Sequence, residues 1–176
     1  MHARSTATEC RALAVPARSQ MQEAEGVRSR VCSPTSTAMV MEYLGVSTAT
    51  SDFADAVYHA ATDRYGLWPA AIKAAASHGV PGYLLRFPDW PTALWCLERG
   101  LPIVTSLRYG PGALTGAPMR ETTGHLVVVT GVDTGHVLAN DPAAATPLEV
   151  PCRYRQDEFV DAWLGGSGVG YVFFRR

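Results

Sequence analysis

An α+β fold, helices first and an antiparallel sheet second, is predicted by three features of the sequence. Before Gly100, apolar residues recur at helical spacing and are punctuated by capping residues and by prolines in positions a first turn accepts. After Gly100, β-branched and apolar runs alternate with turns rich in Gly and Asp. At 176 residues and 47% hydrophobic content, the chain suffices for one domain around one sizeable core.

Residues 1 to 30 mix Ala, Arg, Ser and Glu without periodicity and read as an extended arm, with structure beginning near Val31. The first helix spans Ser33 to Leu44, with Pro34 in its first turn and Gly45 at its end. A second runs from Ser51, its cap, to Ala60, with Phe53, Ala54, Val57 and Tyr58 on one stripe. The third extends from Trp68 or Pro69 to about Ser77 and stops at His78-Gly79, and the fourth from Asp89 through Pro91 to Glu98. Strands follow over Pro102 to Tyr109, His125 to Val132 and His136 to Ala139, the last two joined by a tight turn within Val132 to Val137. Gly110 to Thr123 is too rich in Gly, Pro and Thr for either element and reads as a loop bordering a site. A short helix from about Gln156 to Leu164 and a strand from Tyr171 to Phe174 complete the pattern. Between them, Gly165 to Gly170 follows a helix and precedes a strand, the reverse of the order that cradles phosphate, and reads as a flexible connector.

Composition removes several function classes. Lys and Arg together number 15 and Asp and Glu 16, for a net charge of −1, and only Arg175 and Arg176 are adjacent basic residues. No basic stripe for a nucleic-acid backbone emerges. The longest apolar runs fall far short of the roughly 20 residues that span a bilayer, and Met1 to Gln20 lacks the apolar core of a signal peptide, so a cytoplasmic chain is expected. Cys10, Cys32, Cys96 and Cys152 are widely spaced with no C-x-x-C pair and are expected as free thiols.

One cysteine stands apart. Cys32 directly precedes the Ser33-Pro34 helix start, where unpaired backbone N–H groups and the positive end of the helix dipole favour a thiolate. A nucleophilic sulfur needs a base, and His125 opens a strand after Thr123-Gly124; the imidazole needs an orienting partner, and Asp141 follows across the hairpin. Counted from the turn, His125 and Asp141 are not strictly opposite, so a bulge or loop end must adjust the register. The competing readings are a turn at Asn140-Asp141-Pro142, small buried hydrophobes at Cys10, Cys96 and Cys152, and a zinc site from Cys32, His125 and Asp141, which lacks a short-spaced ligand pair.

Val15-Pro16, Ser19-Gln20-Met21, Val31-Cys32-Ser33-Pro34-Thr35-Ser36, Tyr65-Gly66, Gly100-Leu101-Pro102-Ile103-Val104, Gly124-His125-Leu126 and Asn140-Asp141-Pro142-Ala143 occur in one order. That order resembles the papain-like bacterial cysteine peptidases related to the peptidases that process bacteriocin leaders, the thirty-ninth cysteine family. The resemblance covers roughly residues 15 to 174 and implies one papain-like domain over 15–176 after an arm over 1–14. It implies Cys32 as nucleophile, His125 as general base and acid, Asp141 as the residue orienting the imidazole, and Gln20 beside the Cys32 N–H in an oxyanion hole. Two features depart from the family pattern: Ser33 replaces a glycine, and Gln20 lies twelve residues upstream of Cys32, with Gln22 the alternative donor.

The function implied is acyl transfer through a Cys32 thioester to water, a peptidase or amidase acting on a peptide or an amide- or acyl-bearing substrate, free or carrier-bound. The same thioester passed to an amine would make an acyltransferase, with Gly110 to Thr123 as the wall that decides the acceptor. The alternative of a different class is a catalytically silent binding module. No cofactor or metal is implied, and nothing in the sequence specifies an oligomeric state.

Overall fold

The computed structural model describes residues 12–175 and contains five helices and six strands in them: α1 (Cys32–Tyr43), α2 (Thr50–Val57), α3 (Trp68–Ser77), β1 (Gly82–Arg86), α4 (Trp90–Glu98), β2 (Ile103–Tyr109), β3 (Thr122–Asp133), β4 (His136–Asn140), β5 (Pro151–Arg155), α5 (Gln156–Trp163) and β6 (Val169–Phe173). The strands form one antiparallel sheet in the order β1-β6-β2-β3-β4-β5. The α+β class is as expected. No helix of the described residues is long and apolar enough to cross a membrane.

The central strands explain why two layers of helices are needed. In β2, β3 and β6, successive side chains point to opposite faces, so Ile103, Leu107, Val127, Val129 and Val172 join one apolar cluster while Val104, Leu126, Val128, Tyr171 and Phe173 join another. Strands buried on both faces must be covered on both. The first cluster is completed by Ala93, Cys96 and Leu97 of α4 and by Phe159, Ala162 and Trp163 of α5. The second is completed by Met39, Val40 and Met41 of α1, Phe53 and Val57 of α2, and Ala71 and Ala75 of α3. Helices of the first half therefore do not share one face: α4 lies across the sheet from α1, α2 and α3, and β1 intervenes in sequence between α3 and α4.

The helix starts follow local chemistry. Asp89 caps α4 by accepting from Thr92 N at 2.9 Å, and Pro69 and Pro91 occupy first turns where the missing N–H costs nothing. Helix α1 is buried along Ser33 to Met41, and two of its polar residues find partners inside: Thr35 Oγ1 donates to Val31 O at 2.7 Å and Ser36 Oγ to Leu126 O at 2.9 Å. Its end is the left-handed Gly45, φ 87°.

Several expectations are corrected. Helix α2 ends at Val57, because Tyr58 to Arg64 folds into a turn closed by a His59–Arg64 bridge and by Tyr58 Oη donating to Asp63 Oδ1 at 2.9 Å. Strands β1 and β5 were not expected: both are at sheet edges, where one-sided burial weakens the apolar signal and the hydrogen bonding that defines the strand is nonlocal. The final strand begins two residues earlier, at Val169, and the glycine-rich stretch before it is an ordered turn tied by Ser167 Oγ to Ser106 O at 3.2 Å. A Cβ at Gly165 would lie 2.5 Å from Asp161 O, so glycine permits the chain to turn closely over the end of α5.

The expected arm is also revised. Within it, Leu13 N bonds Thr130 O, Gln20 N bonds Pro142 O and Ser19 Oγ donates to Ala144 O, pinning residues 13–20 across β3 and the loop after β4. The part of the arm over residues 1–11, with Cys10, lies outside the described residues; Cys32, Cys96 and Cys152 are free thiols.

Candidate active site

Cys32 is the first residue of α1, one position inside the helix rather than directly before it. Val31, the N-cap, offers no side-chain bond, and Pro34 has no N–H, so little competes for the first-turn dipole at the sulfur. The α1 start points into a cleft of about 620 Å³ that Cys32 shares with Arg64, Gly66, Trp68, Arg108 and Gly124, among others.

His125 is the fourth residue of β3 and is 2% exposed. Its Nε2 meets Asp141 Oδ1 at 2.7 Å, which leaves Nδ1 as the ring nitrogen free to serve Cys32, whose side chain is close enough for the two groups to shift each other's protonation. Asp141, 1% exposed, follows β4 directly. The register between β3 and β4 shifts between Val129 and Gly131, and the chain leaves β4 at Asn140, so Asp141 reaches His125 from beyond the paired residues. This is the irregularity that the residue count required. Cys32, His125 and Asp141 are thus brought into one neighbourhood, with the carboxylate on one ring nitrogen of His125 and the Cys32 side chain also beside the imidazole. Among the described residues no three His, Cys, Asp or Glu side chains converge as metal ligands.

Three groups hold the carboxylate, and a fourth bond fixes its backbone. Oδ1 accepts from His125 and from Ala143 N at 2.9 Å, Oδ2 accepts from Tyr154 Oη at 2.7 Å, and the Asp141 backbone N–H donates to Val150 O at 2.8 Å. Tyr154 is the residue that sequence reasoning missed. It lies on β5, fully buried between the exposed Arg153 and Arg155, and that alternation is the signal that could have found it.

Burial and charge act against each other here. Burial pushes the Asp141 carboxyl up, but His125, Tyr154 and the Ala143 N–H outweigh it and hold the group below the usual carboxylate range. Burial likewise disfavours the His125 imidazolium, and Asp141 and Cys32 overcome this and raise it to about 10. For Cys32, burial raises the thiol, yet the hydrogen bond and charge of His125, with backbone bonds involving Leu126 and Ser33, bring it below an ordinary thiol. The arrangement therefore favours a thiolate beside an imidazolium. Cys96 and Cys152 are raised by burial, Cys152 to about 12.

Gln20 is 3% exposed in the single 3₁₀ turn Gln20–Gln22. Its Nε2 donates to Arg28 O at 2.7 Å, and its Oε1 is buried without a partner. Gln22 is exposed, and its Nε2 donates to Ala145 O at 3.1 Å. The loop expected to wall the cleft contributes only Thr123; the rest turns toward α5, where Glu158 accepts from Thr115 N at 2.8 Å. The turn after α2 and β2 form the walls instead.

Residues 12–171 match the model of the family described as Peptidase_C39 like. No curated protein sequence matches the chain. Among solved structures, a C39-like peptidase from Bacillus anthracis superposes with a TM-score of 0.68 at 16% identity, covering 93% of this chain and 96% of that one. The peptidase domain of Streptococcus ComA, a bifunctional ABC transporter of a quorum-sensing pathway, gives 0.66 at 15% identity, with 92% and 99% covered. A double-glycine motif protease from an AMS/PCAT transporter, in complex with its leader peptide, gives 0.64 at 18% identity, with 97% and 96% covered. At these identities the likeness is one of fold.

Proposed function

Because the chain belongs to the C39-like peptidase family, whose membership supports a cysteine-dependent hydrolase activity in general, we propose that it cleaves a peptide or amide bond through a thioester on Cys32. The observation that carries this reading is the half-buried Cys32 at the start of α1, facing an open cleft and backed by the buried His125, Asp141 and Tyr154. The structural relatives that are named as peptidases support a peptide as the substrate.

The Cys32 thiolate adds to the scissile carbonyl carbon, and the carbonyl oxygen gains negative charge. The Cys32 N–H and the second hydrogen of the Gln20 amide are the donors assigned to that oxygen, each such donor being worth roughly 10²–10³ in rate. The C–N bond breaks as His125 transfers its Nδ1 proton to the leaving amine, leaving an acyl group on sulfur. Water then attacks the thioester, its proton passing to His125, and the carboxylic acid departs as the thiolate is restored. Asp141 stays ionised and holds the ring through Nε2.

The experiment that tests this is alkylation by iodoacetamide across pH, mapped to each cysteine, in the native chain and in His125→Ala. Fast reaction of Cys32 alone, well below the ordinary thiol range and lost without His125, is the expected result. Ordinary reactivity at Cys32 overturns the reading and favours a binding module. Cys32→Ala is expected to abolish turnover on a peptide pool while leaving the fold intact; retained turnover excludes the covalent route.

A further inference from the structure

Arg64 and Arg108 reach the Cys32 cleft from different elements, Arg64 from the turn after α2 and Arg108 from β2. Arg30 and Asp63 also line it, but they form an ion pair at 2.7 Å, and Arg30 lies over the Tyr65 ring at 5.2 Å from its centroid. Those two charges cancel locally, as do the Cys32 thiolate and the His125 imidazolium. Neither Arg64 nor Arg108 has an ion-pair partner within 4.0 Å among the described residues. Arg108 donates Nε to Thr123 O at 3.3 Å, which orients its guanidinium without neutralising it. Arg108 also lines a neighbouring hollow with Asp157, Glu158 and Asp161 of α5; Asp157 is paired with Arg155 at 2.7 Å, Glu158 is bonded to Thr115, and Asp161 does not come within 4.0 Å of the guanidinium. The cleft beside the sulfur thus presents two guanidinium groups with no carboxylate within 4.0 Å, while Asp141, the acid behind His125, is buried.

We propose that these charges select the substrate: Arg64 and Arg108 recognise a carboxylate close to the scissile bond, from an acidic side chain or a free C-terminus. This rests on the acyl-enzyme reading of Cys32 and adds the chemical class of what it acts on. A guanidinium suits the task because its planar donors match a carboxylate and its charge does not titrate.

The charge beside the sulfur is measured by comparing Cys32 alkylation by anionic iodoacetate and neutral iodoacetamide in the native chain, Arg64→Gln, Arg108→Gln and the double variant. Both reagents consume the same thiolate, so the ratio of their rate constants is insensitive to the thiolate fraction. The ratio is expected to fall about two- to threefold per arginine removed at low salt, and the effect to shrink strongly at about 0.5 M salt. An unchanged ratio in the double variant overturns the proposal. Equally slow reaction of Cys32 with both reagents in the native chain instead removes the acyl-enzyme reading, and this proposal with it. Cleavage of matched peptides then identifies the source of the carboxylate: internal Glu with an amidated C-terminus, Gln with a free C-terminus, and Gln with an amidated C-terminus. Faster cleavage of the first or second supports the side chain or the terminus respectively, and equal cleavage of all three overturns selection by charge.

Discussion

Replacing Tyr154 by Phe removes one hydroxyl from a fully buried, nearly isosteric position and leaves Asp141 Oδ2 without its donor. A hydrogen bond to a charged group contributes about 1.5–3 kcal/mol. Because the Tyr154 hydroxyl is one of the groups that hold Asp141 low, its loss raises the folded-state pKa of Asp141. The sign follows from the direction of the native shift. Asp141 is held below its ordinary value when folded, so the stability it contributes is fully present above the unfolded carboxyl's pKa and is lost as pH falls through the folded one. Tyr154→Phe is therefore expected to lose about 1.5–3 kcal/mol at neutral pH, and less as the solution is acidified below the carboxylate range. Urea unfolding of both proteins at neutral pH and at the lowest pH where both still fold measures the difference. A deficit of the same size at both pH values would falsify the argument, because it would assign the loss to packing rather than to the carboxylate bond.

Three further outcomes are expected. Asp141→Asn keeps the shape but removes the charge that raises His125, and turnover on a cleaved peptide should fall by roughly 10²–10⁴; kcat within threefold of the native value would exclude Asp141 from orienting the ring. Gln20→Ala should lower kcat by roughly 10²–10³ while Cys32 alkylation by iodoacetamide is unchanged, since no oxyanion forms in that reaction; loss of both would make Gln20 a structural anchor for Arg28 O instead. Trp163→Ala, at a side chain buried between α4, α5 and the sheet, should cost about 3–5 kcal/mol in urea unfolding, and a cost under about 1 kcal/mol would contradict the packing described.

The helices and inner strands were legible because their signals are local. Pro34 and Gly45 bound α1, Asp89 and Pro91 start α4, and the apolar runs of β2 and β3 belong to strands covered on both faces. The edge strands were not legible. In Pro151–Arg155 only Tyr154 is buried, and in Gly82–Arg86 the side chains of Tyr83, Leu84 and Leu85 are exposed, so neither segment carries the two-sided burial that marks a strand. Residues 13–20 were read as an arm because their order comes from Thr130, Pro142 and Ala144, all more than a hundred residues away.

By itself the sequence determined the α+β class, the prolines and glycines that bound the helices, and three reactive residue types at Cys32, His125 and Asp141, since propensity and side-chain chemistry are properties of single residues and their near neighbours. Only the tertiary structure decided that these three meet. A register shift in β3 and the exit from β4 bring Asp141 to Nε2, and β5 brings Tyr154 to the other carboxylate oxygen. Whether a sulfur behaves as a thiol or a thiolate depends on charges and burial within a few ångströms, and those distances are set by long-range strand pairing that no short stretch of sequence contains.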